Sequence, residues 1–384
     1  MKNTIYKYFF LEFIRYFTVV LFALTAVLWT IQAVNFLDLV TDDGHAFIVY
    51  FFYSLLTLSK ILTKLFPLSF LIASILTILK FEKDNELIIL WTSGLNKIHI
   101  VNLMLRISII MMLIQLILST LINPQVLNYS RSLLKNSQLQ FVGSLLKEKQ
   151  FNDTVEGLTI FVEDKESDGT FKNIFIRDDG KIVTNISEGA STIYAKSGYI
   201  GNDNKSLILI DGNIQKSEIN NDITIIRFKK TALNLSGLST KTTSEPKIQE
   251  TSTIRIIKCL NIKNLYVLNC LIDPENIEQE NHFIKQNRIE INKRFGMPVF
   301  IPLIALVSCF LLSSRRDKKI NFYNNYLYLI IGFIGFVILV SSEITVRYSG
   351  NSINHAAAYY AIPIILLPLL YLFLIRLFKY ENLN

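Results

Sequence analysis

The chain has 384 residues, 51% of them hydrophobic and 18% charged, with a formal net charge of +8. That is too apolar for an ordinary soluble domain, and the cations gather at the ends of apolar blocks, a membrane pattern rather than a nucleic-acid-binding surface. Three cysteines without a CxxC pair, four scattered histidines and no GxxxxGK[ST] argue against a zinc site and against a P-loop in this chain.

A bilayer core takes about 20 apolar residues as helix, and six runs qualify. The first, Tyr8 to Phe36, follows Lys2 and Lys7. Its length favours an uncleaved span over a signal peptide, and Glu12 and Arg15 are spaced to pair at i, i+3. The second, Phe47 to Leu79, carries Lys60 and Lys64 on one helical face, with Pro67 as a candidate kink. Next comes Glu82 to Ile98, EKDNELIILWTSGLNKI, half apolar and short. Leu87, Leu90 and Trp91 share one helical face, Asp84 and Glu86 sit where a helix dipole favours negative charge, and Ser93 and Gly94 break the helix. Two readings stand for it. One is a cytoplasmic helix that plugs into a groove on a soluble partner. The other is an interfacial helix whose Lys80, Lys83 and Lys97 meet anionic lipid.

The third run, Ile98 to Ile122, contains Arg106 and Gln115. Residues 123–294 are soluble in character and open with a helix through Pro124, Arg131 and Gln140. From Val155 to Leu235 come short alternating runs, LTIFVED, NIFIRDD, KIVTNI, STIYA, SLILIDG and DITIIRF. Turn signals at Ser167-Asp168-Gly169, Asp178-Asp179-Gly180 and Asp211-Gly212-Asn213 separate them, which predicts a β-sandwich or jellyroll over about 150–236. A Ser/Thr/Lys-rich linker and a charged helix from Asp273 to Arg294 lead into the fourth run, Phe295 to Leu312. The fifth is Tyr326 to Ile344, where Gly332 and Gly335 offer close helix packing, and the sixth is Ala356 to Phe378. Glu343 and Arg347 are spaced to pair at i, i+4. Cys259 and Cys270 could pair if their segment is extracytoplasmic; free thiols are the other reading.

Lysine and arginine crowd the loops at Lys80, Lys83 and Lys97 and at Arg315, Arg316, Lys318 and Lys319, and are sparse in the loops on the other side. The positive-inside rule therefore puts both termini in the cytoplasm and residues 123–294 outside. The expected fold is a membrane α-helical protein with an inserted all-β domain: six transmembrane helices, 3+3, flanking a periplasmic β-jellyroll. The domain divisions are 1–122, 123–294 and 295–384.

Catalytic constellations are missing: there is no GxSxG, no HExxH and no paired-carboxylate arrangement in the β region. The chain is not expected to be an enzyme or to hold a cofactor or metal. Ionisable groups at membrane depth are the functional candidates. Lys60 and Lys64 either line a cavity that meets an anionic lipid headgroup or snorkel to the interface, and Arg131 is placed to join them.

Four stretches resemble the lipopolysaccharide-transport permeases of the LptF/LptG type. They are FPLSFLIASILTILKFEKDNELIILWTSGLNK, NPQVLNYSRSLL, FNDTVEGLTIFVEDKESDGTFKNIFIRDD and IEINKRFGMPVFIPLIAL, the third closer to LptF than to LptG. The resemblance covers nearly the whole chain. It implies an inner-membrane subunit of an ABC transporter, paired with a second, LptG-like permease and driven by a dimeric LptB-like ATPase that carries the ATP and Mg. It also implies LptC- and LptA-like jellyroll partners that carry lipopolysaccharide toward the outer membrane. Under it Glu86, with Leu87, Leu90, Trp91 and Gly94, takes the ATPase-coupling role, and Arg131 joins Lys60 and Lys64 at the lipid headgroup. One departure is the outer end of the first span, IQAVNFLDLV, which lacks the cation common in the family. Competing readings are a membrane-anchored assembly or sensor protein whose β domain binds a partner, and a lipid phosphatase or transferase, which lacks its catalytic residues.

Overall fold

The structure is a computed structural model that describes residues 2–37, 40, 47–136, 148–153, 157–166, 169–179, 190–201, 206–217, 223–234, 247–261, 277–313 and 321–383. Among these, six helices are long and apolar enough to cross a membrane: Thr4–Asn35, Phe47–Lys83, Lys97–Leu134, His282–Leu312, Tyr326–Tyr348 and Ile353–Glu381. They lie within α1 (Lys2–Asn35), α2 (Phe47–Lys83), α4 (Lys97–Ile117), α7 (Ile277–Cys309), α8 (Asn321–Tyr348) and α9 (Ile353–Leu383). Between α2 and α4 stands the short α3 (Glu86–Thr92). At its far end α4 runs through one π turn, Leu118–Ile122, into α5 (Asn123–Asn136), so the helix expected after the third span is its continuation. The expected charged helix before the fourth span likewise merges with it in α7, a 33-residue helix that keeps Pro298 and Pro302 inside. A short helix, α6 (Thr253–Asn261), precedes α7.

The chain divides into two compact units, one of residues 1–29, 58–127 and 248–384, the other of 30–57 and 128–247. The first is built around α7, whose residues from Phe300 to Cys309 are almost all buried. An aromatic seam joins α1 to α2: Phe9 with Phe81, Phe13 with Phe70 and Phe17 with Phe66, at centroid distances of 5.0, 5.3 and 5.0 Å. Such tilted and edge-on pairs add specificity in a bundle where apolar burial alone cannot choose between protein and lipid. Gly335 lets α8 approach α2: a Cβ there would lie 2.5 Å from Leu71 Cδ1, whereas one at Gly332 meets Ile75 at an ordinary 3.5 Å. Of the two expected packing glycines, only Gly335 is at a close approach. Cys259 is disulfide-bonded and buried beside Phe283 and Ile284. Cys270, its candidate partner by sequence, lies outside the described residues.

The second unit contains a six-stranded antiparallel sheet in consecutive order, β1 (Phe151–Asn152), β2 (Leu158–Lys165), β3 (Thr170–Asp178), β4 (Ser191–Ile200), β5 (Ser206–Ser217) and β6 (Ile223–Asn234). The run KIVTNI lies outside the described residues. Asp211-Gly212-Asn213 is not the expected turn; it falls inside β5. The reason is a crease. Pairing skips one transverse row, Glu163, Asn173, Lys196, Asp211 and Lys229, and Asn173 and Asp211 have φ of 49° and 51°. Asx residues tolerate that left-handed conformation, and the Gly212 that follows has no room for a side chain, since a Cβ would sit 2.1 Å from Tyr194 O. The crease shifts the alternation by one residue: Ile174 and Ile176 are buried on one side of it, Phe171 on the other, and likewise Ile214 against Leu207 and Leu209. With its phase reset, the sheet keeps a buried apolar face on both sides of the crease, and among the described residues the twelve that form its core lie on the strands themselves.

Candidate functional site

The first compact unit carries two groups of functional side chains, at opposite ends of α2. At one end is α3. Its entry is a left-handed Asn85 (φ 58°) and its exit Gly94 (φ 80°), so seven helical residues are punctuated by sharp turns on both sides. Leu87 and Leu90 are 6% and 9% exposed and belong to the main core, with Trp91 packed against it. The expected apolar face therefore exists, but it is turned into the bundle. The face left outside is Ile88 and Ile89, 58% and 63% exposed, beside exposed Thr92 and Asp84. Sequence periodicity located the stripe and missed its direction, because spacing along one helix does not show which surface buries it.

Polar contacts hold α3 at both ends. Tyr8 of α1 donates its hydroxyl to Glu86 Oε1 at 3.1 Å. Beyond α3, Lys97 is buried and bonded to Glu381 of α9. Lys80 pairs with Glu12 at 2.8 Å. Two of the three lysines considered for anionic lipid are thus paired inside the bundle, which counts against the interfacial reading of this segment. Glu12 has Lys80 as its partner rather than Arg15, since a partner facing it from α2 outcompetes an exposed neighbour on its own helix.

At the other end a cavity of about 110 Å³ is lined by Lys60, Thr63, Lys64 and Pro67 of α2, Gln115, Ser119 and Asn123 of the third span, Gln249, Glu290, Lys293, Arg294 and Met297 of the returning chain, and Glu343 of α8. Lys60 and Lys64 are exposed and face this cavity together, as the i, i+4 spacing requires. Lys293 pairs with Glu343 at 2.8 Å, so the expected Glu343–Arg347 pair is replaced by one between helices. Arg294 is 3% exposed and fully engaged. It donates to Glu290 Oε1 (2.9 Å), to Thr253 Oγ1 (2.8 Å) and to the carbonyls of Ile248, Gln249 and Thr251. Ser119 in the π turn donates to Arg294 O at 2.8 Å, and Thr253 donates to Thr120 O. A π turn at such a place puts consecutive polar groups toward one side of a helix, a common device at functional sites. Gln115 Oε1 is buried and, among the described residues, has no donor. An acceptor left open beside a cationic cavity suits a ligand that brings hydroxyl groups as well as negative charge. Arg131, half-buried on α5, belongs to the second unit. The sequence reading missed Glu290, Asn123 and the return segment as lining, since each is an ordinary polar residue until α7 and α4 come together.

Among the described residues no group of three or more His, Cys, Asp or Glu side chains could hold a metal ion. An uncharacterised protein of Rickettsia prowazekii (strain Madrid E) is 26% identical over 238 residues, 62% of this chain, and the match spans 64% of that protein's length. Residues 7–377 match the family described as lipopolysaccharide export system permease LptF/LptG. With six apolar helices and a β domain inserted in sequence between the third and fourth, this multi-pass membrane chain belongs to the LptF/LptG permease family.

Proposed function

We propose that this chain is the permease subunit of an ABC transporter that extracts lipopolysaccharide from the inner membrane and passes it to a periplasmic bridge of β-jellyrolls. The observation that carries the reading is α3: Leu87 and Leu90 root it in the bundle, while Ile88 and Ile89 are left exposed, uncovered by the described residues. An apolar pair exposed on a helix at a cation-rich end of the spans fits a groove on a soluble ATPase, which supplies the ATP and Mg that this chain is not built to bind. Glu86, positioned by Tyr8, and Gly94, which lets the chain turn back to α4, complete the coupling segment.

The loop charges support cytoplasmic termini, so the cavity faces the outer leaflet. Lys60 and Lys64 there meet the lipid's anionic headgroup, and they do so without help from the first span, whose outer end lacks a cation. A second, LptG-like permease completes the pair above the ATPase dimer. The β domain, with β1 and β6 unpaired on their outer edges among the described residues, continues toward LptC- and LptA-like jellyrolls. In this scheme residues 1–122 and 295–384 form the transport bundle and 123–294 the periplasmic part.

The test is co-purification of the detergent-solubilised chain, wild type beside Ile88→Asp/Ile89→Asp. A P-loop ATPase and a second six-span permease retained by wild type, with the ATPase lost from the variant, is the expected outcome. A folded wild type that retains neither would favour a membrane-anchored assembly or sensor protein instead.

A further inference from the structure

Near the end of α9 stands Glu381, whose carboxylate is committed on both oxygens. Oε2 accepts from Lys97 Nζ, and Oε1 accepts from Ser313 Oγ at the end of the fourth span. Lys97 is 5% exposed, the first residue of α4. Its ammonium lies 5.8 Å from the Trp91 ring centroid and 5.6 Å from that of Phe378. Burying an ammonium costs its hydration unless a carboxylate and π faces take the place of water, so the arrangement is demanding rather than incidental. It also joins four elements at one point. Trp91 belongs to α3, Lys97 to α4, Ser313 to the end of α7's span, and Phe378 with Glu381 to α9.

Leu87 and Leu90 hold α3 by apolar contact, which is non-directional and lets a seven-residue helix slide or roll at little cost. An ion pair with a second hydrogen bond behind it fixes direction and register. From Trp91 to Lys97 the chain is short and itself bonded, Gly94 N to Trp91 O at 3.1 Å and Leu95 N to Leu90 O at 3.1 Å. A displacement of α3 therefore reaches Lys97 without slack.

We propose that Glu381 is a positioning residue that ties the docking segment to the sixth and fourth spans, so that movement imposed on α3 by a bound ATPase moves those spans with it. The proposal rests on the docking reading of α3. Tyr8 and Glu86 make the corresponding tie to the first span, and the two ties together spread one small helix over the bundle's whole cytoplasmic end.

The test uses the full chain with its co-purifying partners in proteoliposomes containing lipopolysaccharide. ATP hydrolysis, lipid released to a soluble acceptor per ATP, and thermal stability are read for wild type, Glu381→Gln and Lys97→Met/Glu381→Met. The double variant replaces the pair with apolar side chains of similar size, which tends to preserve folding. Expected is retention of the ATPase with hydrolysis near wild type, while lipid released per ATP falls roughly two- to thirtyfold in both variants. A double variant with wild-type stability and a wild-type ratio would reduce the pair to structural glue and overturn the proposal. Hydrolysis and release falling in parallel with stability would do the same. Wild type that retains no ATPase would overturn the docking reading first, and this inference with it.

Discussion

Arg294 shows how one side chain can organise a re-entry point. Nearly all its hydrogen-bonding capacity is used, on Glu290, on Thr253 and on three consecutive-region carbonyls of the chain returning toward α7. Removing the guanidinium would leave Glu290 half of a buried pair and three carbonyls without donors. Arg294→Ala is expected to cost about 3 kcal/mol or more, read as a lowered unfolding temperature of the purified chain. Arg347, exposed and without the same-helix partner Glu343 that sequence spacing assigned to it, is expected to tolerate alanine within about 0.5 kcal/mol. The same comparison separates Lys64 from Lys293. Lys293 is committed to Glu343, whereas Lys64 makes no ion pair among the described residues. Lys64→Glu should thus leave stability nearly intact while lowering lipopolysaccharide extraction about tenfold, each tenfold corresponding to about 1.4 kcal/mol of lost headgroup binding.

Elements in this protein are set by close approaches as much as by apolar area. A Cβ at Gly296 of α7 would fall 2.1 Å from Tyr359 Cε1, on a ring that is itself fully buried against Phe300. An aromatic ring cannot give way as the end of a leucine can. Gly296→Ala is expected to push α9 off α7 and cost about 1–3 kcal/mol, whereas Gly332→Ala, facing Ile75 at 3.5 Å, should be close to neutral; thermal melts of the two variants compare them directly. The crease in the β domain is a second element-scale device. Read from sequence, Asp211-Gly212-Asn213 has the composition of a turn, and the composition was right about the backbone conformation. It was wrong about the consequence: the left-handed residue bends the sheet and resets its phase instead of ending the strand.

For the molecule as a whole, the six spans, the inserted β region and the short helix between the second and third spans were all legible in the sequence. Each is announced by a local quantity, a run of apolar residues as long as a bilayer is thick, an alternation of period two, or a break at Ser93 and Gly94. What sequence could not show is which groups meet. Lys97 and Glu381 are separated by 284 positions, Tyr8 and Glu86 by 78, and Lys293 and Glu343 by 50. Local spacing offered Arg15 to Glu12 and Arg347 to Glu343, both within one helical turn, and in each case a lysine from a neighbouring helix took the carboxylate instead. The direction of α3 was decided the same way. Its period marks a stripe of Leu87, Leu90 and Trp91, but a stripe will bury against whatever apolar surface is nearest, and only the packed bundle supplied that surface and left Ile88 and Ile89 outside. Sequence by itself determined the elements and the membrane class, because hydrophobic length and period are properties of consecutive residues. Tertiary structure decided the pairings, the crease and the outward face, because those depend on which distant surfaces compete for the same charge or the same apolar stripe.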